Sequence, residues 1–410
     1  MEGWKLKTLG EIAEVQSGGT PLKSRNEYWF GDIPWYSSGE LNETFTKAPK
    51  ELITPKGLEE SNAKLFPKGS LLIGMYDTAA LKMSILDRDA AFNQAIAGVK
   101  PNEKINLKFI LYAVNSRKFE ILNQRRGVRQ KNLSLAKIKN IALPIPPLPE
   151  QKQIVAILDE AFEEIDRAIA NTEKNLANAR ELFESYLNGI FTQKGDGWKE
   201  KKLGEIGGKV FTGPFGSLLH KSEYVNNGIP IVNPANIEDD KIIPIFNKTV
   251  SQDIANRLQT YILKQNDVVV GRRGEIGRCA VVREEQAGWL CGSGSFFIKP
   301  FENVDSVFLA HLLRSAVYRK KLESLSTGAT MQNLSNQSLS DLIIAMPSLD
   351  EQNRITNKID DLRTETQRLE TIYRQKIAAL KELKQSILQK AFTGELTADT
   401  LKTAKEEIAA

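Results

Sequence analysis

NLSLAKIKNIALPIPPLPEQKQI, Asn132–Ile154, returns half a chain later as NLSNQSLSDLIIAMPSLDEQNRI, Asn333–Ile355. Each version reads as a short strand, Ile141–Ile145 or the IIAM run from Ile343, then an exit into a helix. In the first copy Pro144, Pro146, Pro147 and Pro149 make that exit stiff. Working outward, GWKLKTLGEI (Gly3–Ile12) returns as GWKEKKLGEI (Gly197–Ile206), and SYLNGIFT from Ser185 returns as SILQKAFT from Ser386. The period is half the chain, far beyond the roughly 20–50 residues of stacked solenoid repeats, so each copy is a full module. The copies agree at their ends and differ in the middle. Such a chain presents two different surfaces on one duplicated frame.

After each exit a stripe of apolar residues runs at steps of four and three, the spacing of a coiled coil. The first seam is Ile154, Leu158, Ile165, Leu176 and Phe183; the second is Ile355, Ile359, Leu362, Leu369, Ile377, Leu380 and Ile387. A four-four step near the middle of each is a stutter that locally relaxes the supercoil. Ser348 with Glu351 forms a capping-box pattern, and Pro149 suits a first helical position. The expected division is a globule at 1–149, a long helix at 150–194, a second globule at 195–347, a second long helix at 348–395 and a tail at 396–410. Within the globules, SLLIGM, FNQAIAGVKP, DVVVGRRGEIG and SFFIKP read as strands, and Phe109–Asn123 and 308–324 as helices. A globule of about 150 residues has a radius near 15 Å, shorter than a forty-residue rod. The two helices therefore pair antiparallel. The expected fold is mixed α/β: two globular domains at opposite ends of an antiparallel two-helix coiled coil, related by a pseudo-twofold. The competing arrangement packs each helix on another subunit.

The 410 residues allow two or three domains with proper cores. Lys and Arg number 56 against 51 acidic residues, a basic excess compatible with nucleic acid but not proof of it. Two cysteines, Cys279 and Cys291, make no disulfide framework and suit a reducing cytoplasm. Neither an apolar leader nor a membrane-length apolar run is present in the sequence.

With its GWK-x-x-x-LGEI openings, G-x-x-x-x-NLS segments at Gly127 and Gly328, PLPEQ and SLDEQ exits and paired long helices, the chain resembles the specificity subunits of type I restriction–modification systems. The second exit departs modestly, with Ser348 and Asp350 where the first has Pro147 and Pro149. The resemblance implies that each globule is a target-recognition domain reading half of a bipartite asymmetric site on double-stranded DNA. It implies that the helices space the halves and dock modification (methyltransferase) subunits, two of them, and through the complex restriction (motor-nuclease) subunits. It also implies that the chain itself is not catalytic and carries no cofactor. S-adenosylmethionine, ATP and magnesium, with adenine methylation and ATP-driven cleavage, then belong to partners. Two rivals are a self-contained DNA methyltransferase and a coiled-coil adaptor without DNA contact.

On that reading the residues that differ between copies are readout. Arg125, Arg126, Arg129 and Lys131 in QRRGVRQK form a phosphate clamp or a solvated basic turn. The matching neutral segment offers Gln332 and Asn333. Arg272, Arg273 and Arg278 in GRRGEIGR reach a groove, with GMYD from Gly74 at the corresponding place. The early loops supply Lys23, Arg25, Tyr28 and Lys221, whose aromatic is alternatively core. Tyr36, in Trp35–Ser38, pairs with the unlike loop Asn233–Asn236. That Asn-Pro-Ala-Asn lacks the second proline and the aromatic of an amino-methyltransferase site, and no cofactor strand precedes it. His220 and His311 have no ligand-spaced neighbours, so zinc chemistry is not expected.

Overall fold

A computed structural model describes residues 4–123, 133–215, 218–238, 240–326, 333–393 and 395. The chain divides into two compact units, Met1–Glu173 with Arg374–Ala410, and Lys174–Tyr373. This differs from the expected linear division, because each unit contains the start of one long helix and the end of the other.

The first long helix spans Leu148–Gln193 and the second Leu349–Thr393. The first starts two residues earlier than expected and passes through Gly189 without breaking. It ends where Lys194 turns to a positive φ of 49°. At the second start, Ser348 Oγ accepts from the Glu351 N–H, but the Glu351 carboxylate accepts from Arg354 instead of closing the capping box. In the first unit Ile154, Leu158 and Ile165 share one core with Leu380, Ile387 and Phe392. In the second, Leu187 and Phe191 share one with Ile359 and the half-buried Ile355. Late positions on one helix meet early positions on the other, so the pairing is antiparallel in both units. The seam is thin between these ends. Leu176, Phe183, Leu369 and Ile377 are half-buried, and Thr172 is the buried residue of that stretch, its hydroxyl donating to Ala168. Leu362 is a correction: it is exposed, and Arg363 takes the inward place and pairs with Asp240.

The globular parts are built alike. In the first unit four antiparallel strands lie in the order Val15–Ser17, Ile96–Val99, Leu71–Gly74, Met83–Ile85. In the second the order is Gly208–Thr212, Ser295–Pro300, Val268–Gly271, Cys279–Val281. Their central strands, LLIG and VVVG, are buried at every residue, as unbroken apolar runs require. A second sheet adds a parallel pair in each: Trp29–Tyr36 beside Ala91–Phe92, and Ile229–Val232 beside Leu290–Cys291. The expected single helices are each two. Arg117 separates Leu107–Ser116 from Lys118–Asn123, and Ser315, an N-cap, separates Ser306–Arg314 from Ala316–Ser324.

The repeated motifs are where each globule is tied to the helices. Lys5–Thr8 pairs with Ala142–Ile145, and Lys199–Lys202 with Ile343–Met346. The fully buried Phe109 packs on Trp4 and on Phe392; Phe308 packs on Trp198 and on Phe191. So the GWK tryptophan and the terminal phenylalanine of the other copy's helix close the same core. Gln151 and Gln352, the last letters of PEQ and DEQ, are buried and repeat one set of bonds. Each amide oxygen accepts from the N–H of a helix N-cap residue, Asn106 or Asp305, at 2.8 Å. Each amide nitrogen donates to the exit carbonyl, Pro146 at 2.9 Å or Pro347 at 3.0 Å, and to a second carbonyl, Lys104 or Asn303.

Candidate nucleic-acid interface

In both units several segments meet at one joint, and the same backbone bonds hold it. Tyr36 O accepts from the Asn93 N–H at 2.9 Å, as Val232 O does from Gly292 at 2.9 Å. Met75 N–H donates to Ala95 O at 2.9 Å and its carbonyl accepts from Leu133 at 2.8 Å; Arg272 does the same with Gly294 and Leu334, both at 3.0 Å. Gly18 donates to Ile96 as Gly213 donates to Ser295. The pairs Ser37/Asn233, Met75/Arg272, Gln94/Ser293 and Thr20/Phe215 therefore occupy equivalent places. Ser37 and Asn233 also begin the same one-turn cap: the Ser37 N–H and Oγ donate to Glu40 at 2.8 Å, and the Asn233 N–H to Asn236 Oδ1 at 3.0 Å. The frame is constant and the side chains change.

In the second unit the joint is cationic. Arg272 is half-buried; its Nε donates to Asn333 Oδ1 at 3.1 Å and its guanidinium lies 5.3 Å from the centre of the Phe296 ring. Burial, and after it the charge of Arg273, pulls its pKa down from the usual arginine value. A guanidinium stays protonated regardless, so this is a charge held partly out of water with Nη donors to spare. Arg273 is exposed and bridges to Asn333 through the backbone. Gly274 and Gly277 take positive φ in the turn that follows. Arg278, the third arginine of the expected trio, is half-buried; its Nε donates to Glu275 at 2.5 Å and its Nη1 to Ile237 O, so it braces the turn. Lys221 is exposed, in the short 3₁₀ turn Lys221–Glu223. Gln332 lies outside the described residues.

In the first unit the expected grip residues fold in on themselves. Lys23 pairs with Glu51 and sits 3.8 Å from the Trp29 ring centre. Arg25 donates to the Tyr28 hydroxyl, which donates to Glu60 at 2.7 Å. Tyr28 is 4% exposed and Tyr36 1%, with the Tyr36 hydroxyl bonded to Lys47 O. Both tyrosines are core, because each phenol finds a partner without leaving it. Arg125, Arg126, Arg129 and Lys131 lie outside the described residues. Sequence reading missed Thr20, Gln94 and Phe215; Gln94 is exposed and Phe215 is 62% exposed at its unit's joint. The available signal was that FNQA and CGSG differ between otherwise matching strands.

Among the described residues no group of three or more His, Cys, Asp or Glu is placed to hold a metal ion, and no helix is long and apolar enough to cross a membrane. Both cysteines are free and buried, and burial pushes the Cys279 thiol up to about 11.

The profile of the type I restriction modification DNA specificity domain matches twice, over residues 1–176 and 195–381. The chain belongs to that family. Its two matches fall on the two copies, so the joint occurs once per specificity domain. The EcoBI specificity subunit of Escherichia coli is 23% identical over 97% of this chain and 87% of its own length. The MjaVIII specificity subunit of Methanocaldococcus jannaschii is 23% identical over 98% and 94%. Among solved structures, a chain from work on complex assembly and conformational transition of a type I R-M system superposes with a TM-score of 0.77 at 20% identity, covering 97% of this chain and 99% of that one. The HsdS subunit from Thermoanaerobacter tengcongensis superposes with a TM-score of 0.63 at 20% identity, covering 96% and 98%. Both likenesses are of fold.

Proposed function

We propose that this chain is the DNA-specificity subunit of a type I restriction–modification complex. Each specificity domain reads one half of a bipartite, asymmetric site, and the paired helices space the halves and dock two modification subunits. The observation that carries this is the joint itself: one backbone frame, built twice, presents a half-buried arginine in one unit and uncharged side chains at the matching places of the other. A protein that bound DNA without reading it would have no use for that difference, since phosphate contacts position and base-edge contacts specify. Arg272 and Arg273 serve base readout in the second domain, an arginine fork matching guanine O6 and N7. The QRRGVRQK segment supplies phosphate contacts in the first. Methylation of adenine, ATP-driven translocation and cleavage, with S-adenosylmethionine, ATP and magnesium, reside on the modification and restriction subunits. The complex works in the cytoplasm, where buried free thiols stay reduced.

The test is methylome sequencing of a host, free of other such systems, that expresses this chain with its modification subunits. A single two-part motif with an unread gap is expected. Methylation without a bipartite motif, or methyl transfer by the purified chain alone, overturns the reading.

A further inference from the structure

Gln94 stands in the turn between Ala91–Phe92 and Ile96–Val99, at the joint of the first domain. Its backbone surroundings are fixed: Asn93 N–H is tied to Tyr36 O, Ala95 N–H to Asn93 Oδ1, and Ala95 O to Met75 N–H. Its side chain is exposed, yet it is not loose. Thr20 Oγ1 donates to Gln94 Oε1 at 2.5 Å, from the segment that Gly18 and Gly19 anchor to Ile96 and Phe92. A carboxamide carries two N–H donors and two oxygen lone pairs. With one lone pair taken by Thr20, the amide oxygen keeps one acceptor site, and the nitrogen beside it keeps both N–H donors.

That remainder has a specific complement. In the major groove adenine shows an N7 acceptor beside an N6 donor, which a glutamine amide meets with two bonds; guanine shows two acceptors there, and so opposes the amide oxygen. The arginine position of the second domain is no rival in the first, because Met75, which replaces Arg272, is 1% exposed and part of the core. The second domain has Ser293 and the exposed Phe215 where the first has Gln94 and Thr20, so this pair is part of what differs on the common frame. We infer that Gln94, oriented by Thr20, reads an adenine in the half-site of the first domain. Thr20 is then a positioning residue. The inference rests on the reading of the chain as a DNA-specificity subunit.

The experiment uses the chain assembled with its modification subunits and the motif that methylome sequencing returns. Each adenine of the half-site that Arg272→Ala leaves intact is replaced in turn by 7-deazaadenine, which lacks the N7 acceptor, and duplex binding is measured. One position is expected to lose roughly two- to tenfold in affinity, the worth of one of the pair's two bonds, since the N6 donor is kept. Gln94→Ala should abolish the sensitivity at that position and leave the other half-site unchanged. Thr20→Val should reduce it, and Thr20→Ser should restore it. The methylome of the Gln94→Ala complex should relax from adenine at that one position. If no adenine shows a deaza effect that depends on Gln94, or if the relaxed base is not an A·T pair, the inference is overturned. Absence of any bipartite motif in the wild type would instead overturn the function on which it rests.

Discussion

The clamp at the base of each globule and the joint that carries the candidate readout are both built twice, and duplication has treated them in opposite ways. At the clamp the side chains are kept: Gln151 and Gln352, Trp4 and Trp198, Phe392 and Phe191 make matching bonds and ring contacts. At the joint only the backbone is kept, and Ser37, Met75, Gln94 and Thr20 face Asn233, Arg272, Ser293 and Phe215 across the two copies. The physical reason lies in where the specificity of each contact resides. A buried glutamine bonded to three backbone groups has no substitute of the same reach. A joint held by main-chain bonds places no demand on the side chains it displays, so those are free to diverge.

If the clamp is a matched device, breaking either copy should be equally severe. Gln151→Leu and Gln352→Leu keep the volume but leave a buried N–H and two carbonyls without partners, each worth ~1–3 kcal/mol when unsatisfied. The expected loss in urea unfolding is about 3 kcal/mol or more for either, slightly larger for Gln352, whose contact to Asn303 is shorter at 3.2 Å than the 3.5 Å to Lys104. A loss confined to one variant would show that the two copies are held differently.

The joint should behave the other way, with effects that stay in one copy. Arg272→Ala is expected to relax one position of one half-site, costing ~1–3 kcal/mol of discrimination if the arginine forks onto guanine. Methylome sequencing of the variant complex reads this directly. Met75→Ala, at the equivalent place, should destabilise the first unit without altering any base read, because Met75 lies in the core.

The kept features were the legible ones. Repeated Trp, Gln and Phe could be matched by eye, and the seam was legible at its buried ends, Ile154 to Ile165 and Leu380 to Ile387. Its middle was not, because Leu362 and Arg363 lie three and four residues after Ile359, both steps a helical seam allows, and only packing chose Arg363. The joint was largely hidden. Gly18 matches Gly213, Gly74 matches Gly271 and Ile96 matches Ser295 at a different offset each time, so Gln94 and Ser293 cannot be aligned without strand register. Tyr28 and Tyr36 misled for a related reason: an aromatic beside basic residues reads as a surface feature until its hydroxyl is seen to be bonded inside the fold.

A third contrast concerns pH. Tyr112 in the first unit donates its hydroxyl to Asp159 at 2.6 Å, beside Lys108. At the same place in the second, His311 faces Asp360 at 3.4 Å and takes a bond from Arg314 on Nδ1. A guanidinium only donates, so Nδ1 is unprotonated and the neutral ring donates from Nε2. Burial first, and the nearby arginines after it, hold the imidazole below its ordinary value of 6.5 although Asp360 opposes them. The unfolded chain therefore binds a proton that the folded one refuses. Stability is complete above pH 6.5 and falls as the pH drops through that value toward the lowered one. Asp360, held down chiefly by its bond to His311, adds a loss only at more acid pH. Unfolding free energies at pH 7.5 and 5.5 should differ for the wild type, and His311→Tyr, which copies the first unit, should remove most of that difference.

The smallest effects are expected from the ion pairs between the helices. Lys384 bonds both oxygens of Asp166 in the first unit, and Arg180 bonds both oxygens of Glu370 in the second. Geometry alone makes them equivalent, and the arginine pair the better formed. Their settings differ: Lys384 also lies 4.9 Å from the ring centre of Phe162, a residue of the first core, whereas Arg180 is half exposed on the thin part of the seam. Exposed pairs contribute ~0–1 kcal/mol and are screened by salt, while a cation resting on an aromatic face keeps part of its contact when screened. Lys384→Ala should therefore cost about 0.5–1 kcal/mol in urea unfolding, with a residue of that loss persisting in 0.5 M salt, a concentration at which the Debye length falls to about 4 Å. Arg180→Ala should be separable from the wild type only at low salt. A larger loss at Arg180 that high salt removes would mean that this stretch of the pair is held by charge, where its apolar seam is weakest.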